Sequence, residues 1–201
     1  MLTVVGMGPA GLQWLIPAAR EAIAAAEALV GGSRHLQQFP DFAGERFALG
    51  ADMPALLAWI EARTGRRVVV LASGDPLFYG IGTRLIAHFG RERVQVIPGS
   101  SAVQYLCARA GIDMNDMWLT SSHGRAVSFD ALAAHRKVAM VTDGRCGPRE
   151  IAAQLMARGK GHRWMVIGEN LAMENERIHW LPVSAVEDEY EMNAVVILDE
   201  R

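Results

Sequence analysis

Short β-branched runs alternate with Ala- and Leu-rich stretches of helical period along the first half of this chain, and that alternation leaves few architectures open. A strand, a crossover helix and a second strand make a parallel sheet with helices on its faces. Strands are expected at residues 2–5, 28–30, 67–72 and 94–97, then at 117–119, 138–142, 164–167, 178–181 and 194–198. Helices are expected at 17–27, 53–63, 79–89, 102–110, 129–134 and 149–158. The first half alternates strictly, whereas the end carries two strands with only a short polar segment between them. This asymmetry predicts an α/β fold of two subdomains, 1–112 and 113–201. The boundary falls where a helical pattern stops at Gly111 and the polar run Asp113-Met114-Asn115-Asp116 precedes a new strand. A cleft between such halves is the default ligand site.

Composition narrows the function classes. With 20 basic and 22 acidic residues the net charge is -2, which gives no overall field for a polyanion, so nucleic acid is not an expected partner. Cys107 and Cys146 stand far apart with no second Cys or His at ligand spacing. They read as small buried hydrophobes in a reducing compartment, and no metal site is expected. No apolar run approaches the roughly 20 residues needed to cross a bilayer, and no basic segment precedes the first apolar stretch. The expectation is a cytoplasmic protein without a membrane partner.

Three loops carry the chemistry. The first, Gly6-Met7-Gly8-Pro9-Ala10-Gly11, follows the first apolar run and fits the three-glycine spacing of a dinucleotide site. That reading also needs an acid at the end of the second strand to hold a ribose, but Ala28-Leu29-Val30 runs into Gly31-Gly32-Ser33. Pro9 and Pro17 also delay the helix that should face a pyrophosphate. The second loop, Ser73-Gly74-Asp75-Pro76-Leu77-Phe78-Tyr79-Gly80-Ile81-Gly82, follows the strongest strand, Val68-Val69-Val70-Leu71. An Asp held in a Gly-Asp-Pro turn there either binds a ligand or caps the turn. The third, Pro98-Gly99-Ser100-Ser101-Ala102, offers hydroxyls and free amides at a helix start, where either Ser also serves as an N-cap.

Taken together, the three loops resemble the S-adenosylmethionine-binding loops of the tetrapyrrole methylases. The resemblance extends over essentially the whole chain, more loosely through Val141-Thr142-Asp143-Gly144 and Gly168-Glu169-Asn170-Leu171. Within the family, Gly31 to Leu36, Ser73 to Gly82, and Gly168 to Leu171 followed by Glu176-Arg177-Ile178 look most like the branch that methylates C5 of a corrin precursor in cobalamin biosynthesis. Uroporphyrinogen methylases favour Gly-Gly-Asp-Pro where this chain has Ser73. The first loop departs from many relatives, ending Pro9-Ala10-Gly11 where they carry Pro-Gly-Asp.

The resemblance implies two α/β domains with the cofactor folded into the cleft between them. By motif match, Pro9, Ser73, Gly74, Asp75, Phe78, Ser101 and Ala102 line S-adenosylmethionine, joined by Thr142, Asp143 and Gly168 from the second half. A corrin precursor bears several carboxylates, so Arg34, His35, Arg84, His123, Arg125 and Arg145 are the cations expected around it. Methylation at C5 is followed by proton loss, for which Asp75 and His123 are the catalytic candidates. His88, His135, His162 and His179 follow no ligand spacing. The family also suggests a homodimer. Bifunctional relatives that methylate C15 and decarboxylate carry a further domain; the sequence given ends at Arg201, and the expectation is the C5 step alone, with a lean towards a cobalt-bearing substrate. Competing readings are another tetrapyrrole methylase, a diphthine-forming methylase, a dinucleotide oxidoreductase resting on the glycine triplet, and a module that binds the cofactor without turnover.

Overall fold

The computed structural model describes residues 1–201 and divides into two compact units, Met1–Ser101 and Ala102–Arg201. In the first, β1 (Leu2–Gly6), β2 (Ala28–Gly31), β3 (Glu45–Ala48), β4 (Val68–Ala72) and β5 (Val94–Ile97) form one parallel sheet in the order β3-β2-β4-β1-β5. β1 pairs with β4 and β5, in register Leu2 to Val68 and Leu2 to Val94. Strands β1 and β4 are buried on both faces, which is why they read as unbroken apolar runs.

Side chains alternate between two cores because successive residues of a strand point to opposite faces. Val4, Val30, Val68 and Val70 pack under α3 (Met53–Glu61) and α4 (Gly82–Phe89) through Leu56, Ile60, Leu85 and Phe89. Val5, Leu29, Val69 and Leu71 pack on the other face, under α1 (Pro17–Ala24) and the short α2 (Ser33–Leu36), through Ala19, Ile23 and Leu36. The chain therefore leaves β1 on one face and β4 on the other. Two neighbouring strands whose outgoing loops diverge in this way open a crevice at their carboxyl ends, the usual ligand position in open α/β sheets.

The second unit holds α5 (Ala102–Ala110), β6 (Trp118–Ser121), α6 (Phe129–Ala134), β7 (Lys137–Val141), α7 (Pro148–Met156), β8 (Trp164–Glu169), β9 (Arg177–Pro182) and β10 (Asn193–Leu198). Its sheet runs β6-β7-β10-β8-β9; β6 and β7 are parallel and every other pair is antiparallel. α6 and α7 cover one face through Leu132, Ile151 and Leu155, and α5 packs on β10 and β7. That packing places the division ahead of α5, between Ser101 and Ala102, where the sequence pattern suggested 112/113.

Among the strands and α-helices, two lie outside the expected set. β3 is a charged edge strand, Glu45-Arg46-Phe47-Ala48, and α2 is a single turn directly after β2. No helix is long and apolar enough to cross a membrane.

Candidate functional site

The three loops of the first unit meet at the carboxyl ends of β1, β4 and β5. Met7 N–H donates to the Ala72 carbonyl at 2.8 Å, and Gly8 and Gly74 exchange backbone hydrogen bonds of 3.2 and 3.0 Å, extending the β1–β4 pairing into both loops. Gly74 has φ +61°, a conformation that L side chains rarely adopt. Gly6 and Gly99 approach so closely that a Cβ on Gly99 would meet the Gly74 carbonyl and Gly6 backbone, and one on Gly6 would meet Gly99. Backbone touches backbone here.

Asp75 ties the second loop to itself and to the third. Its Oδ1 accepts from Leu77 N–H at 2.8 Å and its Oδ2 from Gly99 N–H at 3.2 Å. The Asp of the Gly-Asp-Pro turn therefore caps that turn and also reaches the loop after β5. Around it, Pro9 is half-buried beside Gly8, Ser73 is exposed at the end of β4, and Ser101 is buried. Phe78 N–H donates to the Asp75 carbonyl, and its ring meets Tyr79 edge to face at 5.2 Å.

His35 corrects one expectation. Sequence offered it as a cation for substrate carboxylates, but its side chain is buried on α2, with Nε2 3.4 Å from Ser73 Oγ. Burial pushes its pKa below the ordinary histidine value, and the neighbouring Arg34 cation adds to the effect. It is a neutral partner of Ser73, whereas Arg34 and Arg84 are exposed.

In the second unit Asp143 does for its loops what Asp75 does in the first. Oδ2 accepts from Gly124 N–H at 3.1 Å; Oδ1 accepts from Arg145 N–H at 3.0 Å and Cys146 N–H at 3.1 Å. The bonds from Gly124 and Arg145 foremost hold its pKa below the ordinary carboxylate value. They also fix the loop carrying His123, whose N–H donates to Ser121 Oγ at 3.0 Å and whose side chain is exposed, as are Arg125 and Arg145. Thr142 Oγ1 donates to the Asn193 carbonyl at 2.8 Å, pinning the end of β7 to the start of β10. Gly168 is buried at the end of β8, where a Cβ would meet Leu171 and Leu106 of α5. No group of three or more His, Cys, Asp or Glu side chains is arranged to hold a metal ion.

The model of the tetrapyrrole (corrin/porphyrin) methylases matches residues 1–186. The chain belongs to that family. It is 79% identical over 201 residues to a cobalt-precorrin-7 C(5)-methyltransferase of Salmonella typhimurium, covering all of both chains. It is 33% identical over 181 residues to a precorrin-6Y C(5,15)-methyltransferase [decarboxylating] of a Sinorhizobium species, covering 88% of this chain and 44% of that one. Among solved structures, a cobalamin biosynthesis precorrin-6Y methylase from Archaeoglobus fulgidus superposes with a TM-score of 0.76 at 25% identity, covering 98% of this chain and 97% of that one. The chain is thus a methyltransferase of two α/β units, as the three loops led one to expect. The dinucleotide reading also fails on topology: β4 lies between β2 and β1, whereas dinucleotide folds of order 3-2-1-4-5-6 pair those two strands directly.

Two carboxylates stand inside the family-like segments, but the sequence assigned them no role. Glu169 is buried; its Oε1 accepts from Glu191 N–H at 2.8 Å and its Oε2 lies 3.4 Å from His179 Nε2. The Glu191 amide foremost holds its pKa down, against the upward push of burial. Glu176 is bound by Arg109, Ala172 and Tyr105. Glu176 was visible only as part of a branch motif, since nothing local in a sequence says which carboxylate a fold will bury.

Proposed function

We propose that the chain transfers the methyl group of S-adenosylmethionine to C5 of cobalt-precorrin-7 in cobalamin biosynthesis. The observation that carries this reading is the full-length identity with the Salmonella enzyme of that name. The loop geometry supports it: small residues and fixed amides stand at the carboxyl ends of parallel strands, where open α/β sheets take their ligands. When bound, the sulfonium supplies an electrophilic methyl with an excellent leaving group, so the protein needs no covalent intermediate of its own.

Alignment is then the main contribution of the protein, and holding reactants in line is worth effective molarities of about 10⁵ to 10⁸ M in well-oriented systems. In this proposal Pro9, Ser73, Gly74, Asp75, Phe78, Ser101 and Ala102 contact the cofactor, with Thr142, Asp143 and Gly168. The rigidity of Gly6, Gly74 and Gly99 backs the first group, and the Asp143 amide clamp backs the second. For the proton lost after methylation, both Asp75 oxygens already accept amide hydrogens, so the exposed His123 side chain or bulk water is the better supported acceptor. Arg34, Arg84, Arg125 and Arg145 are the proposed contacts for substrate carboxylates. The enzyme is proposed to work in the cytoplasm as a homodimer, without nucleic acid or membrane.

Mass spectrometry of corrin intermediates incubated with the protein and methyl-labelled S-adenosylmethionine tests the reaction. Label in cobalt-precorrin-7 is the expected result. Binding of the cofactor with no label in any tetrapyrrole would leave a methylase with another acceptor.

A further inference from the structure

Two segments of the second unit, the start of α5 and the end of β8, carry Ala102 and Gly168. A single, largely buried carboxylate joins the rest of α5 to the turn after β8. Glu176 is 14% exposed at its side chain. One oxygen accepts from Arg109 Nε at 2.8 Å, the other from Ala172 N–H at 2.6 Å, and the Tyr105 hydroxyl also hydrogen-bonds to it. Tyr105 and Arg109 are four residues apart on α5 and so stand on one face of it.

The turn that Glu176 holds is an unusual one. Asn170 and Ala172 have φ of +49° and +64°, although neither is glycine. Ala has no side-chain oxygen with which to ease a left-handed conformation, so the surroundings must enforce it. Asn170 is held by its N–H to the Met192 carbonyl at 2.8 Å and by its side-chain amide to Glu191. Ala172 is held by Glu176. Between them Leu171 is turned inward, 5% exposed, against the spot where a Cβ on Gly168 would also meet Leu106 of α5. The strained turn thus sets the spacing of α5 and β8: Leu171 and Leu106 wedge at Gly168, and Glu176 clamps the turn to Tyr105 and Arg109. Burial alone would raise the Glu176 pKa, but the bonds from Ala172, Arg109 and Tyr105 together bring it below its ordinary value, so the clamp is a charged one.

We propose that Glu176 is a positioning residue for the cofactor: through Ala172, Tyr105 and Arg109 it fixes Ala102 and Gly168 in the arrangement that S-adenosylmethionine requires. This rests on the cofactor assignment made above. With Arg109 55% exposed, the ion pair alone would contribute little even to stability; the bond from the Ala172 amide is what ties the carboxylate to the turn. A clamp that also holds a strained backbone next to a ligand segment affects binding as well.

The test measures S-adenosylhomocysteine affinity by calorimetry and the KM for S-adenosylmethionine in Glu176→Ala, Glu176→Gln, Arg109→Gln and Tyr105→Phe, with hydrogen exchange at the Ala172 amide. Glu176→Ala is expected to raise Kd and KM about tenfold with kcat at saturating cofactor nearly unchanged. Glu176→Gln, which keeps an acceptor for Ala172, should recover part of the loss. Faster exchange at Ala172 with Kd within about twofold of wild type would overturn the proposal and leave a purely structural clamp. If Glu176→Ala does not fold, Arg109→Gln and Tyr105→Phe decide by the same two readouts. A wild-type protein that does not bind S-adenosylhomocysteine would instead overturn the cofactor assignment itself.

Discussion

Asp75 and Asp143 are alike in what their carboxylates do: each gathers backbone amides from two loops and fixes their spacing. Removing such an acceptor leaves donors without partners, at a cost of about 1 to 3 kcal/mol where they stay buried. Asp75→Ala should therefore lower stability by an amount in that range and weaken S-adenosylhomocysteine binding, with Asp75→Asn intermediate because its single carbonyl oxygen serves one amide; denaturant melts and calorimetry on the same samples check both. His35 makes a different prediction. Its folded-state pKa is lowered by burial, foremost, and by Arg34, against an unfolded value of about 6.5. Below that pH the unfolded chain takes up a proton that folded His35 resists. Its contribution to stability is thus complete above about pH 6.5 and declines as the pH falls towards the folded-state value. In His35→Gln the slope of stability against pH between about 7 and 5 should flatten, and an unchanged slope would show that His35 is not the group responsible.

At the scale of elements, the glycine contact between the loops after β1 and β5 is open to a matched comparison. Gly99→Ala drives a methyl into the Gly74 carbonyl and Gly6 backbone, and overpacking of this kind costs about 1 to 3 kcal/mol. Gly50→Ala, with nothing within 4 Å and no positive φ, should change stability by less than about 0.5 kcal/mol. Equal melting temperatures for the two variants would contradict the contact. Arg163 offers a further case: fully buried, it donates to the carbonyls of Leu132, His135 and Arg136 and pairs with Asp199 at 2.8 Å. Arg163→Ala should destabilise by about 2 to 5 kcal/mol, because it leaves the three carbonyls without their donor and a cavity in place of a fully buried side chain, measured by chemical denaturation; Asp199, 35% exposed, is left to water. The elements that could be read from the sequence are those whose burial imposes a pattern. β4 and β5 stand where the apolar runs put them, and α5 and α6 match residue for residue. β3 was missed because it is an edge strand with charged residues, and Arg46 within it donates to the carbonyls of Leu36, Phe39, Pro40 and Phe42, a role with no periodicity. α1 stops at Ala24, short of the expected residue 27, and the four-residue α2 is too short for a helical period to show. The site loops were legible because glycine and proline mark turns. Asp75 was legible as a turn cap or ligand contact and Asp143 as a family-like position, but their bonds to the neighbouring loops were not, since those partners lie 19 to 24 residues away in sequence.

For the molecule as a whole, the observable is the reaction and how many methyl groups it adds. The relative that matches along its entire length is named for C5 alone, whereas the relative named for C5, C15 and decarboxylation is matched over 44% of its length. The activities beyond C5 are therefore expected to reside in the unmatched part of that longer protein. Geometry leads to the same expectation. One sulfonium held in one orientation can be aligned with one ring carbon at a time, and C5 and C15 lie on opposite sides of the macrocycle, so reaching the second would require release and rebinding in a flipped pose. Incubation with labelled S-adenosylmethionine and cobalt-precorrin-7 should give a product heavier by one methyl group, with carbon labelling placing it at C5. A doubly methylated or decarboxylated product from this chain alone would show that a second orientation of the macrocycle is bound productively.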